Sequence, residues 1–364
     1  IFTSISNFSE VIKAFFRARQ KIEYESWGVI LESLSVTFVG FLVIFHFPSI
    51  INIAYSYLFS VILSSIFFLA LFNFKFFPIK VKLEKKIWIK YLKMSWPLAL
   101  AALFSTIYVS IDSVMMGALG QITETGWYNA AYKIVVATNV LVIIIDTSFY
   151  PALSNFFEQS KEKLQRFWNR EIEFMIMLAF PLMVGGYILA PKIIGFLYGE
   201  SFAPSILIFQ MLMPMAGIIY LSMPFEKMLI VANHQRKFFL VTFLGAIVNV
   251  ILNLLLIPRF SLYGAAVATV ITYFMILFMF IFFTRKLTPI EPFNYKLLIV
   301  VLSSFFSTII LYFVLSFLVT YDLNLFYIFV LGFSSYFLSL FSIKKIVNSY
   351  IKNEGKSSSQ IKNR

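Results

Sequence analysis

"WPLALAALFSTIYVSIDSVMMGALG", residues 96–120, is a long apolar run that ends in a glycine-containing turn and carries a single carboxylate, Asp112. A helix needs about 20 such residues to cross the hydrocarbon core of a bilayer. The chain repeats the pattern throughout, for 60% of its 364 residues are hydrophobic and only 13% are charged. Apolar windows fall at 26–46, 51–72, 94–118, 128–150, 172–194, 205–231, 238–257, 263–283, 296–319 and 324–343. In lipid each backbone polar group must be bonded within its own segment, and these windows lack strand-like alternation. The sequence therefore predicts an all-α, polytopic transmembrane helix bundle of about ten spans. Short polar turns separate neighbouring windows: "HFPS" at 46–49, "GALGQITETGW" at 117–127 and "PRFSLYG" at 258–264.

Charge placement orients the bundle. Segments 10–24, 75–93, 161–170, 236–237, 285–296 and 344–364 hold 26 of the 30 Lys and Arg residues, and all lie on one side of the predicted spans. The positive-inside rule makes that side cytoplasmic, so both chain ends are expected inside, in a multi-pass protein of the cytoplasmic membrane. The net charge of +13 is then explained by membrane lipids, whose anionic headgroups such loops contact, and nucleic-acid binding has no support. With no cysteine and two distant histidines, His46 and His234, neither a thiol nucleophile nor a metal site is expected.

The remaining charges are more informative. Lys133, Lys192, Lys227 and Arg259 stand outside the basic loops, while Glu32, Asp112, Asp146 and Glu226 stand inside spans, where a charge costs roughly 3 kcal/mol or more unless it is paired or wet. Lys192, Lys227, Arg259 and Asp146 are close enough to a span end to act as interfacial anchors. Asp112 is not, because it lies six residues before the end of its span, about 9 Å deep. Lys133, counted about five residues into the next span, is the expected partner. Ser105, Tyr108 and Asp112 form a polar stripe, and Asn129, Tyr132 and Lys133 form another on the next helix. Two readings of the pair stand together: a wet site for substrate or ion, and an ion pair that fixes helix packing. Asn249 and Asn253 share a face at i, i+4 and read first as interhelical glue. The small residues of "YGAAVAT", 263–269, read as close packing.

Residues 15–45 and 231–258 also resemble one another, each with a short basic turn leading into an outward span, as in transporters built from two bundles. Four stretches carry a wider resemblance: "SIDSVMMGALGQITETGWYNAAYKI" (110–134), "FYPALS" (149–154), "APKIIGFLYGESFAPSILIFQML" (190–212) and "NVILNLLLIPRFSLYGAAVATVITY" (249–273). They resemble the polysaccharide flippases of the Wzx or RfbX type, in the multidrug/oligosaccharidyl-lipid/polysaccharide (MOP) exporter superfamily. The match to the family's Gly-x-Tyr step is inexact, reading Gly126, Trp127, Tyr128, Asn129. The resemblance implies a two-bundle, MATE-like architecture in which these spans are the fifth to fourteenth of fourteen, with four amino-terminal helices preceding them. It divides the chain into 1–93, the remainder of an amino-terminal bundle; 94–283, a carboxy-terminal six-helix bundle; 284–343, two additional helices; and 344–364, a basic cytoplasmic tail.

The resemblance further implies a carrier, not an enzyme, that flips undecaprenyl diphosphate-linked oligosaccharide repeat units for O-antigen- or capsule-type biosynthesis. Its implied partners are the lipid-linked oligosaccharide and the polymerase and glycosyltransferases of the same pathway. No cofactor is implied, but coupling to a proton or sodium gradient is. Tyr108, Trp127, Tyr128, Asn129 and Tyr132 are the expected sugar contacts and Lys133, Arg259 and Lys227 the phosphate contacts; Asp112 is either a proton or sodium site or the counter-ion of Lys133, and Asn249 and Asn253 complete the expected substrate or ion pathway. The alternatives are a MATE-type drug or cation antiporter, whose lumen should be more acidic, a lipid-linked peptidoglycan precursor flippase, differing in cargo, and a membrane-embedded polymerase, which should carry a large outer loop that is absent from this sequence.

Overall fold

A computed structural model describes residues 2–19, 21–47, 49–76, 84–321 and 323–362, and every regular element among them is helical. The helices are α1 (Phe2–Ala18), α2 (Ile22–His46), α3 (Ile50–Lys75), α4 (Lys85–Ala118), α5 (Ile122–Ala137), α6 (Asn139–Gln159), α7 (Lys161–Tyr198), α8 (Pro204–Val231), α9 (Gln235–Leu287), α10 (Tyr295–Thr320) and α11 (Leu325–Lys362). Among the described residues nine helical stretches are long and apolar enough to cross a membrane. The difference from ten lies in α9. Its 53 residues would extend about 80 Å if straight, more than twice the hydrocarbon thickness. The helix is instead broken at Ser261, a non-glycine residue held at φ 51°. A Cβ on Gly264 would strike the main chain of Leu256, eight residues earlier, so the chain doubles back on itself at the expected "PRFSLYG" turn. α9 thus supplies two spans.

Two other turns are shorter than expected. The break in 117–127 narrows to Leu119–Gln121, with Gly120 at φ 76°, so α5 begins at Ile122 and not near 128. The Pro-x-x-Ser inner turn that the family resemblance implies at "FYPALS" does not form: α6 continues through Pro151 to Gln159, and the chain turns at Ser160, whose hydroxyl caps α7 by accepting from the Lys163 N–H. α5 and α6 are one span interrupted at Thr138, whose carbonyl accepts from the Tyr220 hydroxyl at 2.7 Å. The expected basic loop at 75–93 and the chain ends fall partly outside the described residues, namely 77–83, 1 and 363–364; the side chains of the expected tail do so beyond Val347.

The chain packs as two units, Ile1–Ile89 and Lys90–Arg364. In the first, α1 lies on α3 around a core of Ile12, Phe16, Phe68 and Phe72. Arg17 bridges Glu25 and Glu10 at 2.6 and 3.3 Å. The Ser64 hydroxyl donates to Glu32 at 2.9 Å, giving that carboxylate a neutral partner. In the second unit α7 and α8 form the centre, with Trp168 fully buried and its Nε1 donating to the Pro224 carbonyl at 3.2 Å. α10 and α11 pack on each other and on α7. Phe278, Phe282, Phe313, Phe317 and Phe341 point outward, as expected where lipid is the solvent.

Candidate functional site

Asp112 is 1% exposed, and α4, α5 and both limbs of α9 deliver its partners. Its Oδ2 accepts from the Tyr128 hydroxyl at 2.6 Å and from the Thr269 hydroxyl at 2.5 Å. Its Oδ1 accepts from the Asn253 amide at 2.5 Å. Asn253 also donates to Asn249 Oδ1 at 3.1 Å, and Asn249 donates to the Thr272 hydroxyl at 3.4 Å. Asn249, Asn253, Thr269 and Thr272 are all fully buried. The turns set the register. Asp112 and Tyr128 each stand eight residues from Gly120, while Asn253 and Thr269 each stand eight residues from Ser261. Residues equally far from a hairpin turn lie at equal depth on its two helices.

Aromatic rings close the surroundings. Tyr132 stacks on Tyr128 with centroids 5.8 Å apart, and Tyr108 meets Tyr273 edge-on at 5.6 Å. Nearer the turns, the Ser113 hydroxyl donates to Asn129 and the Ser261 hydroxyl to Gln121, each tying facing segments together.

The expected Asp112–Lys133 pair is not made. Lys133 is exposed, and Asp112 is held by neutral donors. The reason is the start of α5. With Ile122 as the first residue, Lys133 lies eleven residues in, about 16 Å along the helix, below the level of Asp112. It is also turned about 140° from Tyr128 on the helical wheel. Arg259, the other expected cation, is likewise exposed and outside the knot. Lys192 donates to the Leu323 carbonyl at 3.4 Å. Asp146 is not an interfacial anchor either: it is 6% exposed and paired with Lys227 at 3.1 Å. Thr269 and Thr272 fall in or beside a stretch that reads as packing; the signal that exposes them is their spacing from Ser261, which equals that of Asn253 for Thr269 and is one residue short of that of Asn249 for Thr272. Among the described residues no three His, Cys, Asp or Glu side chains gather as metal ligands.

Residues 1–157 match the family model described as "Polysaccharide biosynthesis protein". An uncharacterised membrane protein of Methanocaldococcus jannaschii, MJ1068, is 37% identical over 110 residues, 30% of this chain and 22% of that one. The probable flippase AglR of Haloferax volcanii is 26% identical over 170 residues, 45% of this chain and 35% of that one. The matches therefore span about a third or less of the length of these curated relatives. Among solved structures, the lipid II flippase MurJ in an inward closed conformation superimposes with a TM-score of 0.70 at 15% identity, over 96% of this chain and 72% of that one. A multidrug resistance MATE family transporter of the MOP superfamily, in an outward-facing conformation, superimposes at 0.64 and 15% identity, over 77% and 65%. At these identities the likeness speaks for the fold.

The chain thus shares its fold with these transporters, and its first 157 residues are similar to the polysaccharide biosynthesis family. Within that fold, the Asp112 knot is a carboxylate held in the bundle by side chains from four helical segments, with both of its oxygens already accepting. One further acceptor, Asn253 Oδ1, is buried there with no hydrogen-bond partner among the described residues. Of these, AglR is described as a probable flippase, MurJ as a lipid II flippase and the MATE protein as a multidrug transporter.

Proposed function

We propose that the protein is a carrier that moves a lipid-linked oligosaccharide diphosphate across the cytoplasmic membrane, with a proton or sodium ion exchanging at Asp112 to drive the cycle. The observation that carries the coupling is the buried acceptor set. Asp112, Asn249 and Asn253 supply carboxyl and amide oxygens, and Tyr128 and Thr269 supply hydroxyls that can turn from donating to accepting. Hard oxygen donors of this kind suit an alkali cation, and a carboxylate with no cationic side chain beside it is equally suited to a proton. Binding either would release Tyr128, Thr269 or Asn253 from Asp112 and so change what joins α4, α5 and α9. That is the differential contact an ion-coupled conformational change requires.

An anionic cargo is supported by a cavity of about 570 Å³ where α4 and α9 begin, lined by Lys93, Ser95, His234, Arg236 and Lys237. Guanidinium and ammonium groups are what a diphosphate needs, whereas a cationic drug would be repelled. Glycosyltransferases and a polymerase acting before and after the carrier complete the expected setting. A labelled lipid-linked oligosaccharide in proteoliposomes holding the full-length protein tests the cargo. It is expected to become accessible to a membrane-impermeant reagent with no change in the sugar, and Arg236→Ala with Lys237→Ala should slow this about tenfold, the equivalent of 1.4 kcal/mol. Chemical change in the oligosaccharide, or transport indifferent to both cations, would contradict the reading.

A further inference from the structure

Asp146, Glu171, Glu226 and Lys227 take no part in the Asp112 knot. They lie toward the ends of helices that turn at Ser160 and at Asn233, the opposite end of the spans from the turns at Gly120 and Ser261. Asp146 Oδ2 meets Lys227 Nζ at 3.1 Å, while its Oδ1 is buried without a hydrogen-bond partner. Lys227 also sits over the Tyr150 ring, 5.9 Å from its centroid. Glu171 is 0% exposed, and neither of its carboxyl oxygens meets a donor among the described residues. Its electrostatic neighbours are Asp146 and Lys227, and Glu226 shares both of them. Three carboxyl groups therefore gather round one ammonium.

The surroundings offer no further compensation. α6 brings Asp146 and Tyr150, and α8 brings Glu226 and Lys227. Glu173, two residues along α7, is taken by Lys344 of α11 at 3.1 Å. α10, which also packs on α7, brings no charged group that acts on Glu171. Lys227 is already engaged by Asp146. A buried carboxylate with neither donor nor cation of its own is the most costly state available to Glu171, and a proton removes that cost. When like charges share a site of this kind, one of them is held neutral.

We propose that Asp146, Glu171, Glu226 and Lys227 form a proton-binding site, distinct from Asp112, in which Glu171 carries the proton and Lys227 compensates the remaining acids. The proton is enclosed by α6, α7 and α8 and leaves when that end of the unit opens to water. The site stands whether or not Asp112 proves to be the coupling residue.

Infrared spectra of the full-length protein in D2O, taken through neutral pH, test the assignment. Wild type is expected to show a protonated-carboxyl C=O band that survives Asp112→Asn and is lost in Glu171→Gln, a substitution that keeps the shape. Lys227→Met should add a second such band, as Asp146 or Glu226 takes up a proton in place of its lost cation. Identical carboxyl bands in wild type and Glu171→Gln would overturn the proposal, as would a Lys227→Met spectrum with no added band.

Discussion

At the scale of the residue, a short acid placed deep in an apolar span must be answered by a partner, and Asp112 is answered by two hydroxyls and an amide. Asp112→Asn is expected to lower glycan-lipid transport about tenfold or more, since charge-assisted hydrogen bonds and the ion's carboxyl ligand vanish together. Lys133→Met should transport within about twofold of wild type, because Lys133 is exposed and away from the knot; an equal loss in both variants would restore the pair as functional. Thr269→Val keeps the shape and removes one donor, which should cost about 1–3 kcal/mol of stability, read as a lowered melting temperature of the purified protein. That Asp112 matters was legible from its depth alone. Its partners were not, because choosing Lys133 rested on a helix start placed six residues late, and at 1.5 Å per residue that error is about 9 Å.

At the scale of the element, the hairpin inside α9 is what brings Asn253 and Thr269 level with each other. Gly264 permits it, since a side chain there would enter the backbone of Leu256. Gly264→Ala should therefore destabilise the protein by about 1–3 kcal/mol, the range for overpacking. Gly117→Ala, where nothing lies within 4 Å of the added methyl, should stabilise α4 slightly. Thermal unfolding of both variants checks the contrast; equal melting temperatures would remove the hairpin from the account. The two limbs of α9 were legible as two spans from the Pro and Gly of the turn. The continuation of α6 past Pro151 was not, because a proline in a helix is tolerated where neighbouring packing holds the chain on both sides.

At the scale of the whole molecule, composition and the apolar windows carry the fold class, whereas the surroundings of Asp112 depend on contacts between helices far apart in sequence. Orientation is open to direct test because the chain has no cysteine. Single cysteines at Leu119 and Lys237 should be labelled by an impermeant reagent from opposite faces of the membrane, Lys237→Cys from the cytoplasmic one; labelling of Leu119→Cys from the cytoplasmic face and Lys237→Cys from the outer one would reverse the positive-inside assignment. In the proposed cycle an ion at Asp112 drives the movement of the lipid-linked oligosaccharide. The most direct measurement is the rate of oligosaccharide movement in proteoliposomes with and without an imposed sodium or proton gradient, for wild type and Asp112→Asn. Wild type should respond to one of the two gradients and Asp112→Asn to neither. A gradient response in Asp112→Asn equal to that of wild type would contradict the account.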